Sequence, residues 1–413
     1  MKNMPAILFF ILFSLTAFSQ RTIKGRVVNA STGAVIPGSS VFITNTSRGT
    51  VSDNAGNFQI NDVPAGKHEL VVSSIGYETN VFSFSDNQLP LQLKVELSIK
   101  VKELENINLE PFVEEGWDKW GHYFTEHFVG YTESAARCKI KNENAIRFRF
   151  YKKSNRLVAF ADEPVILENK TLGYNITYQL EDFQVNFSER SLSFIGYSLF
   201  EDIGKEGKAS LGNKYEKRRE EAYRGSVLHF MRSLYNNRLK EEGFEVRRMK
   251  RLPNLEKQRV KGIYAPAKMV RTNRATGQMT EEWSLDESIP KDSASYYQKI
   301  LSQPDAAEIY GTNLLTADSL ISLVKDEIKF LEFEDYLFIT YLNEKEEPGY
   351  LRTQFPARKV MHQRSTVILV NQGMVAIEKN GNYYDPRNFF TSGYWSWSEK
   401  MGDSLPLDYE PSK

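Results

Sequence analysis

Cysteine is almost absent from this 413-residue chain. Cys138 stands alone, so no internal disulfide can form and the fold must hold without covalent staples. Histidine is scarce too, with five residues, which leaves few imidazoles for a metal centre. Net charge is also missing: 53 basic residues balance 53 acidic ones. No chain-wide field therefore draws the protein to nucleic acid or to an anionic membrane. Past the N-terminus no stretch reaches the ~18 uncharged apolar residues of a spanning helix. Neither a GxSxG elbow nor a P-loop occurs, so serine-hydrolase and nucleotide-phosphate chemistries of those types are excluded.

The first twenty residues have the pattern of a secretory signal. Lys2 supplies a positive start, Ile7 to Phe13 an apolar run, and Ala17-Phe18-Ser19 a small-residue cleavage site. Cleavage after Ser19 would leave Gln20 first, with no spanning segment in the mature chain. A lipid anchor would need a cysteine there. Aromatic residues make up 13% of the chain, which favours β-rich packing, and the length predicts more than one domain. Cys138 is expected as a small buried apolar side chain.

From Arg21 onward, short β-rich runs alternate with turn chemistry. Thr22 to Val28, Val41 to Ile43, Phe58 to Ile60 and His68 to Ser74 read as strands. Ser31-Thr32-Gly33, Asp53 to Asn57 and Pro64-Ala65-Gly66 read as turns between them. That rhythm predicts an antiparallel sandwich over residues 20–100. Within it, Gly25-x-Val27, Pro37-Gly38, Gly49-Thr50, Ser52-Asp53, Gly56-Asn57-Phe58, Val63-Pro64-x-Gly66 and Ser74-Ile75-Gly76-Tyr77-Glu78 occur in order. This series resembles the carboxypeptidase-regulatory-like domain. The resemblance implies a transthyretin-like sandwich of seven strands, found at the N-terminus of exported bacterial proteins, TonB-dependent receptors included. It also implies no zinc ligands, because in metallocarboxypeptidases this module accompanies the catalytic domain.

The spacing of the histidines agrees with that implication. The third positions after His68, His122, His127, His229 and His362 hold Val71, Thr125, Gly130, Arg232 and Ser365, so no His-x-x-Glu pair exists. HExxH is absent as well, since His68-Glu69 leads to Val72. His122, Glu126 and His127 lie close in sequence, but on a helix histidines five apart diverge by about 140°, too far to share one ion.

Residues 101–113 read as a charged connector ending near Pro111, and residues 114–413 as a second, larger domain. Trp117, Trp120, Tyr123, Phe124, His127 and Phe128 recur at helical spacing, with Gly130 as the stop. Ile146, Phe148 and Phe150 alternate as in a strand, as do Tyr174 to Leu180 and Phe183 to Phe187. A second helix starts at Ser226, carries Val227, Phe230, Met231 and Leu234, and ends by Gly243. Residues 201–222 and 252–312 read as long polar loops. Strands are expected at Glu327–Glu334 and Tyr336–Asn343, and a hairpin of Thr366–Val370 with Met374–Glu378 around Asn371-Gln372-Gly373. The fold class is thus mainly β with a few helices, α+β in the second domain. This half resembles the unnamed region that follows the regulatory-like module in many Gram-negative envelope proteins. That likeness rests on Phe128-Val129-Gly130-Tyr131-Thr132, Leu172-Gly173-Tyr174 and Gly393-Tyr394-Trp395-x-Trp397 among other strings.

Two surface candidates for binding follow. Arg247, Arg248, Lys250 and Arg251 open a basic run that continues through Lys257, Arg259 and Lys261, suited to anionic glycans or lipid headgroups. Tyr394, Trp395 and Trp397 would stack on sugar rings if exposed and close a core if buried. The expected function is a non-catalytic binding or scaffolding role in the cell envelope, in the periplasm or at the outer membrane. The partner is then an envelope protein or glycan, with no nucleic acid, no cofactor and no metal. The alternative is a hydrolase acting on an envelope polymer through residues of the second domain.

Overall fold

The computed structural model describes residues 21–100, 110–204, 209–264, 268–272, 279–283, 291–354, 357–370 and 373–412. The expected signal segment and residues 101–109 of the expected connector lie outside them. Two units are present: the described residues up to Phe42 with Arg48–Ile99, and Ile43–Ser47 with Lys100–Lys413.

The first unit carries seven strands among its described residues. They are β1 (Ile23–Asn29), β2 (Ser40–Ile43), β3 (Gly49–Val51), β4 (Asn57–Ile60), β5 (Lys67–Ser73), β6 (Asn80–Ser85) and β7 (Leu91–Leu97). One sheet has the order β4-β1-β7 and the other β3-β2-β5-β6. Strand β1 runs antiparallel to β4 and parallel to β7, with Ile23 opposite Leu91. Period-2 alternation buries Ile23, Val27, Val41, Leu70, Val72, Val95 and Leu97 completely. This is the expected β-sandwich. Gly25 is required where β1 crosses: a Cβ there would sit 2.5 Å from the Leu93 carbonyl and 2.6 Å from the Phe58 ring.

The second unit begins with β8 (Phe112–Glu115), so the last residues of the expected connector form a strand. Helix α1 (Trp117–Phe128) follows, then β9 (Cys138–Ile140), β10 (Ile146–Tyr151), β11 (Arg156–Ala161), β12 (Val165–Asn169), β13 (Tyr174–Asn186) and β14 (Ser191–Asp202). The sheet order is β8-β10-β11-β13-β12-β9, with β14 on the other edge of β13. The aromatic stripe of α1 fills its core: Phe124 and Phe128 are fully buried against Phe148, Tyr178 and Phe183. Apolar residues in β13 are even-numbered through Leu180 and odd-numbered from Phe183. A bulge between Leu180 and Asp182 absorbs that change of phase, so both halves of one long strand point their apolar side inward.

The remainder holds α2 (Ala209–Tyr223), α3 (Val227–Tyr235), β15 (Phe244–Pro253), α4 (Leu255–Tyr264), β16 (Lys268–Thr272), β17 (Met279–Trp283), α5 (Lys291–Leu301) and β18 (Ala306–Tyr310). After these come α6 (Ala317–Leu320), β19 (Ile321–Lys325), β20 (Ile328–Leu331), β21 (Tyr336–Lys345), α7 (Pro348–Leu351), β22 (His362–Leu369), β23 (Val375–Ile377), β24 (Tyr383–Tyr384), β25 (Phe389–Gly393) and α8 (Tyr394–Ser398). Two sheets, β18-β15-β21-β22-β25 and β19-β20-β23-β24, share a core with α3, whose Phe230, Met231 and Leu234 are fully buried.

Three expectations are corrected here. The polar stretches are not simply loops: α2 occupies most of the first, and α4, α5 and β16 to β18 lie in the second. Helix α3 stops at Tyr235 rather than near Gly243, because Asn237 takes the left-handed conformation at φ 55° and its N–H turns back to the Leu234 carbonyl. The expected hairpin does not form. β22 pairs with β21 and β25, while β23 pairs with β20 and β24 in a different sheet; Asn371 and Gln372 lie outside the described residues. Among the described residues, no helix is long and apolar enough to cross a membrane.

Candidate functional site

The sequence candidates are placed first. Tyr394, Trp395 and Trp397 are 4%, 2% and 6% exposed, so they close cores and offer no stacking platform. Trp395 packs on Phe230, and its indole N–H donates to the Gly225 carbonyl at 2.7 Å. Tyr394 and Trp397 cluster with Tyr350, and the Tyr394 hydroxyl donates to Glu347 at 3.1 Å. The basic run sits on β15, where acids answer Arg247, Lys250 and Arg251. Arg247 lies 3.8 Å from Glu245, Lys250 3.2 Å from Asp335 and Arg251 3.1 Å from Glu308. Local pairing cancels much of the field that an anion would feel.

The two helical histidines diverge as their spacing requires. His122 is exposed and 3.3 Å from Glu126. His127 stacks on Tyr123 with ring centroids 3.9 Å apart, and burial pushes its pKa down to about 4. Burial raises the Cys138 thiol to about 12, which leaves it unreactive. Among the described residues, no group of three or more His, Cys, Asp or Glu side chains could hold a metal ion.

The structure instead brings together residues that the sequence did not single out. A cavity of about 950 Å³ lies in the second unit, bounded by Tyr178, Leu192 and Phe194 of β13 and β14. Phe390 and Ser392 of β25, and Glu399, Lys400 and Asp403 beyond α8, form the facing wall. Backbone geometry aims this wall. Gly393 has φ 80°, and a Cβ there would meet the Arg364 carbonyl at 2.7 Å, so the chain turns sharply into α8. Met401 N–H then donates to the Phe128 carbonyl at 3.0 Å and Gly402 N–H to Val129 at 2.7 Å. Asn169 donates to the Gly402 carbonyl at 2.8 Å. These bonds clamp residues 401–402 against the end of α1 and fix Lys400 and Asp403 on either side.

The electrostatics of that wall are unusual for acidic and basic side chains. Burial pushes Glu399 up to about 8, with the nearby Asp403 charge adding to the rise. Burial pushes Asp403 up to about 7 against a 2.6 Å hydrogen bond from the Thr132 hydroxyl. Lys400 is brought down to about 8 by the same desolvation, with Glu399 opposing, and its ammonium lies 5.6 Å from the Phe194 ring. Near neutral pH these groups can each donate or accept a proton, which is what hydrogen-bonding recognition or acid–base chemistry requires. Three charged residues directly after the core-forming string Tyr394–Trp397 were the available signal.

The family comparison bears on the first unit. Residues 23–109 match the family model of the CarboxypepD_reg-like domain. No curated protein matches the chain. Among solved structures, a type II cohesin–X-dockerin complex from Acetivibrio cellulolyticus aligns at 29% identity and TM-score 0.16. That alignment takes in 18% of this chain and 51% of the other, so the chain spans about half the length of that structure. A Bacteroides fragilis NCTC 9343 protein, described as membrane-associated and of unknown function, aligns at 10% identity and TM-score 0.14. It covers 87% of this chain and 94% of its own.

Proposed function

We propose that this chain is an exported protein of a Gram-negative cell envelope that works by binding rather than by catalysis. The observation that carries this reading is the match of residues 23–109 to the CarboxypepD_reg-like domain, a non-catalytic class of β-sandwich module. In sequence it follows an N-terminal segment with a signal-peptide pattern and precedes a β-rich unit that contains a cavity of ligand size. The sandwich serves to dock the protein on an envelope partner, and the second unit holds the ligand.

Expression in a Gram-negative host with fractionation and intact mass tests export. The expected species lies outside the cytoplasm and begins at Gln20. A chain starting at Met1 and confined to the cytoplasm would overturn this reading. A second reading, an envelope-polymer hydrolase, is favoured by one observation: Glu399 and Asp403 flank one cavity wall with both carboxyls shifted toward neutrality. Turnover of an envelope glycan that disappears in Glu399→Gln and Asp403→Asn would put it first.

A further inference from the structure

We infer that the cavity of the second unit binds an oligosaccharide that carries carboxylates, with a sugar ring on Phe390 and acid groups on Lys400 and Arg387. The inference rests on the binding reading above and names its ligand class.

Size is the first argument. About 950 Å³ is near the top of the ~300–1,000 Å³ range of ligand pockets, room for several sugar rings rather than one. The second argument is the character of the walls. Phe390 is 40% exposed although it lines a cavity, which leaves an aromatic face open there. Such faces pack against the C–H side of a sugar ring, while Ser392 and Ser193 along the same walls suit its hydroxyls. An apolar ligand would leave these polar groups unsatisfied.

Charge selects between neutral and acidic sugars. Lys400 and the exposed Arg387 both line the cavity. Asp182, Glu399 and Asp403 line it as well, but burial holds the last two toward their neutral forms, so their repulsion of an incoming carboxylate is weak near neutral pH. In the neutral form each also donates an O–H, which a carboxylate or a sugar oxygen accepts. The Lys400 ammonium lies over the Phe194 ring, 5.6 Å from its centroid, so an acid group that reaches this wall meets a cation.

Calorimetry on the purified mature chain near neutral pH tests this, with hexagalacturonate as probe and cellohexaose and hexaglutamate as controls. Hexagalacturonate is expected to bind at one site with Kd below about 1 mM and cellohexaose at least ~10-fold more weakly. Raising salt to about 0.5 M should weaken the acidic sugar several-fold. Arg387→Ala and Phe390→Ala, both at exposed positions, should each lower affinity by at least ~5-fold with the melting temperature unchanged. Lys400→Met should do the same where it folds. Absence of binding, equal affinity for cellohexaose or hexaglutamate, or affinity unchanged in both exposed variants would overturn the ligand class. Reducing ends are counted in the same samples. Their release would overturn the non-catalytic reading and leave the ligand class standing, whereas failure to bind leaves export standing.

Discussion

Arg219 and Asp202 form a two-bond ion pair inside the second unit. Nη1 donates to Oδ2 at 3.0 Å and Nη2 to Oδ1 at 2.8 Å, with the two side chains 9% and 13% exposed. Two further donors are used as well: Nε bonds the Leu172 carbonyl at 2.7 Å and Nη2 the Gly173 carbonyl at 3.1 Å. The guanidinium also lies 4.0 Å from the Tyr174 ring. One side chain thus fastens α2 to the ends of β13 and β14.

Removing Arg219 leaves the Asp202 charge poorly solvated. Arg219→Leu is expected to cost about 3–5 kcal/mol of unfolding free energy. The double variant with Asp202→Leu should recover a large part of that, because both charges are then gone. Urea titration measures both, and a single variant within about 1 kcal/mol of wild type would contradict the assignment.

In the sandwich, Gly25→Ala should cost roughly 1–3 kcal/mol through overpacking against Leu93 and Phe58. Adding Phe58→Leu should restore only part, because the Leu93 carbonyl is backbone and cannot step aside. Full recovery in thermal melts would show that the ring alone sets the constraint.

Asp403 gives stability a definite pH dependence. Its folded pKa, about 7, lies above its unfolded value, so the native state holds the proton more tightly. The stabilisation is complete at pH values below the unfolded pKa and is lost as pH rises through 7. Asp403→Asn should remove this loss, so its stability relative to wild type should grow as pH rises from roughly 4 to 7 and level off above. Paired denaturant titrations across that range read the difference. A difference that is flat, or that shrinks with rising pH, would rule out the raised pKa.

Zinc should not accompany the protein. His127 is held on Tyr123 while His122 is exposed on its pair with Glu126, so the two imidazoles cannot share an ion without unwinding α1. Elemental analysis of the purified chain is expected to find far less than one zinc per molecule, and chelator should leave the melting temperature unchanged. One tightly retained zinc would refute both statements.

What was legible in the sequence was local. Phe124 and Phe128 lie one helical turn apart and fixed both the extent and the buried face of α1. The change of phase after Leu180 was written in the apolar residues of β13, although its cause, a bulge, became visible only with β14 alongside. Helix α2 was hidden because it has little apolar stripe to read. Surface pairs such as Arg218–Glu221 and Arg224–Glu220 line it, and Arg219 ties it to elements distant in sequence. The false hairpin failed for a related reason. β22 finds its partners in β21 and β25, and nothing local in Thr366–Val370 says that these compete better than Met374–Glu378. The cavity wall was the least legible part. Nothing local in the sequence around Glu399, Lys400 and Asp403 says that the bonds of residues 401–402 to the end of α1 will set them along a cavity.

Those same bonds bear on when the protein can fold. Met401 belongs to the core built by α1 and β9 to β14, and Trp395 to the core of α3 and the later sheets. A ribosome releases these residues long after the strands that they complete. The early sheet therefore waits, with Phe128 and its neighbours incompletely covered, until the last stretch of chain arrives.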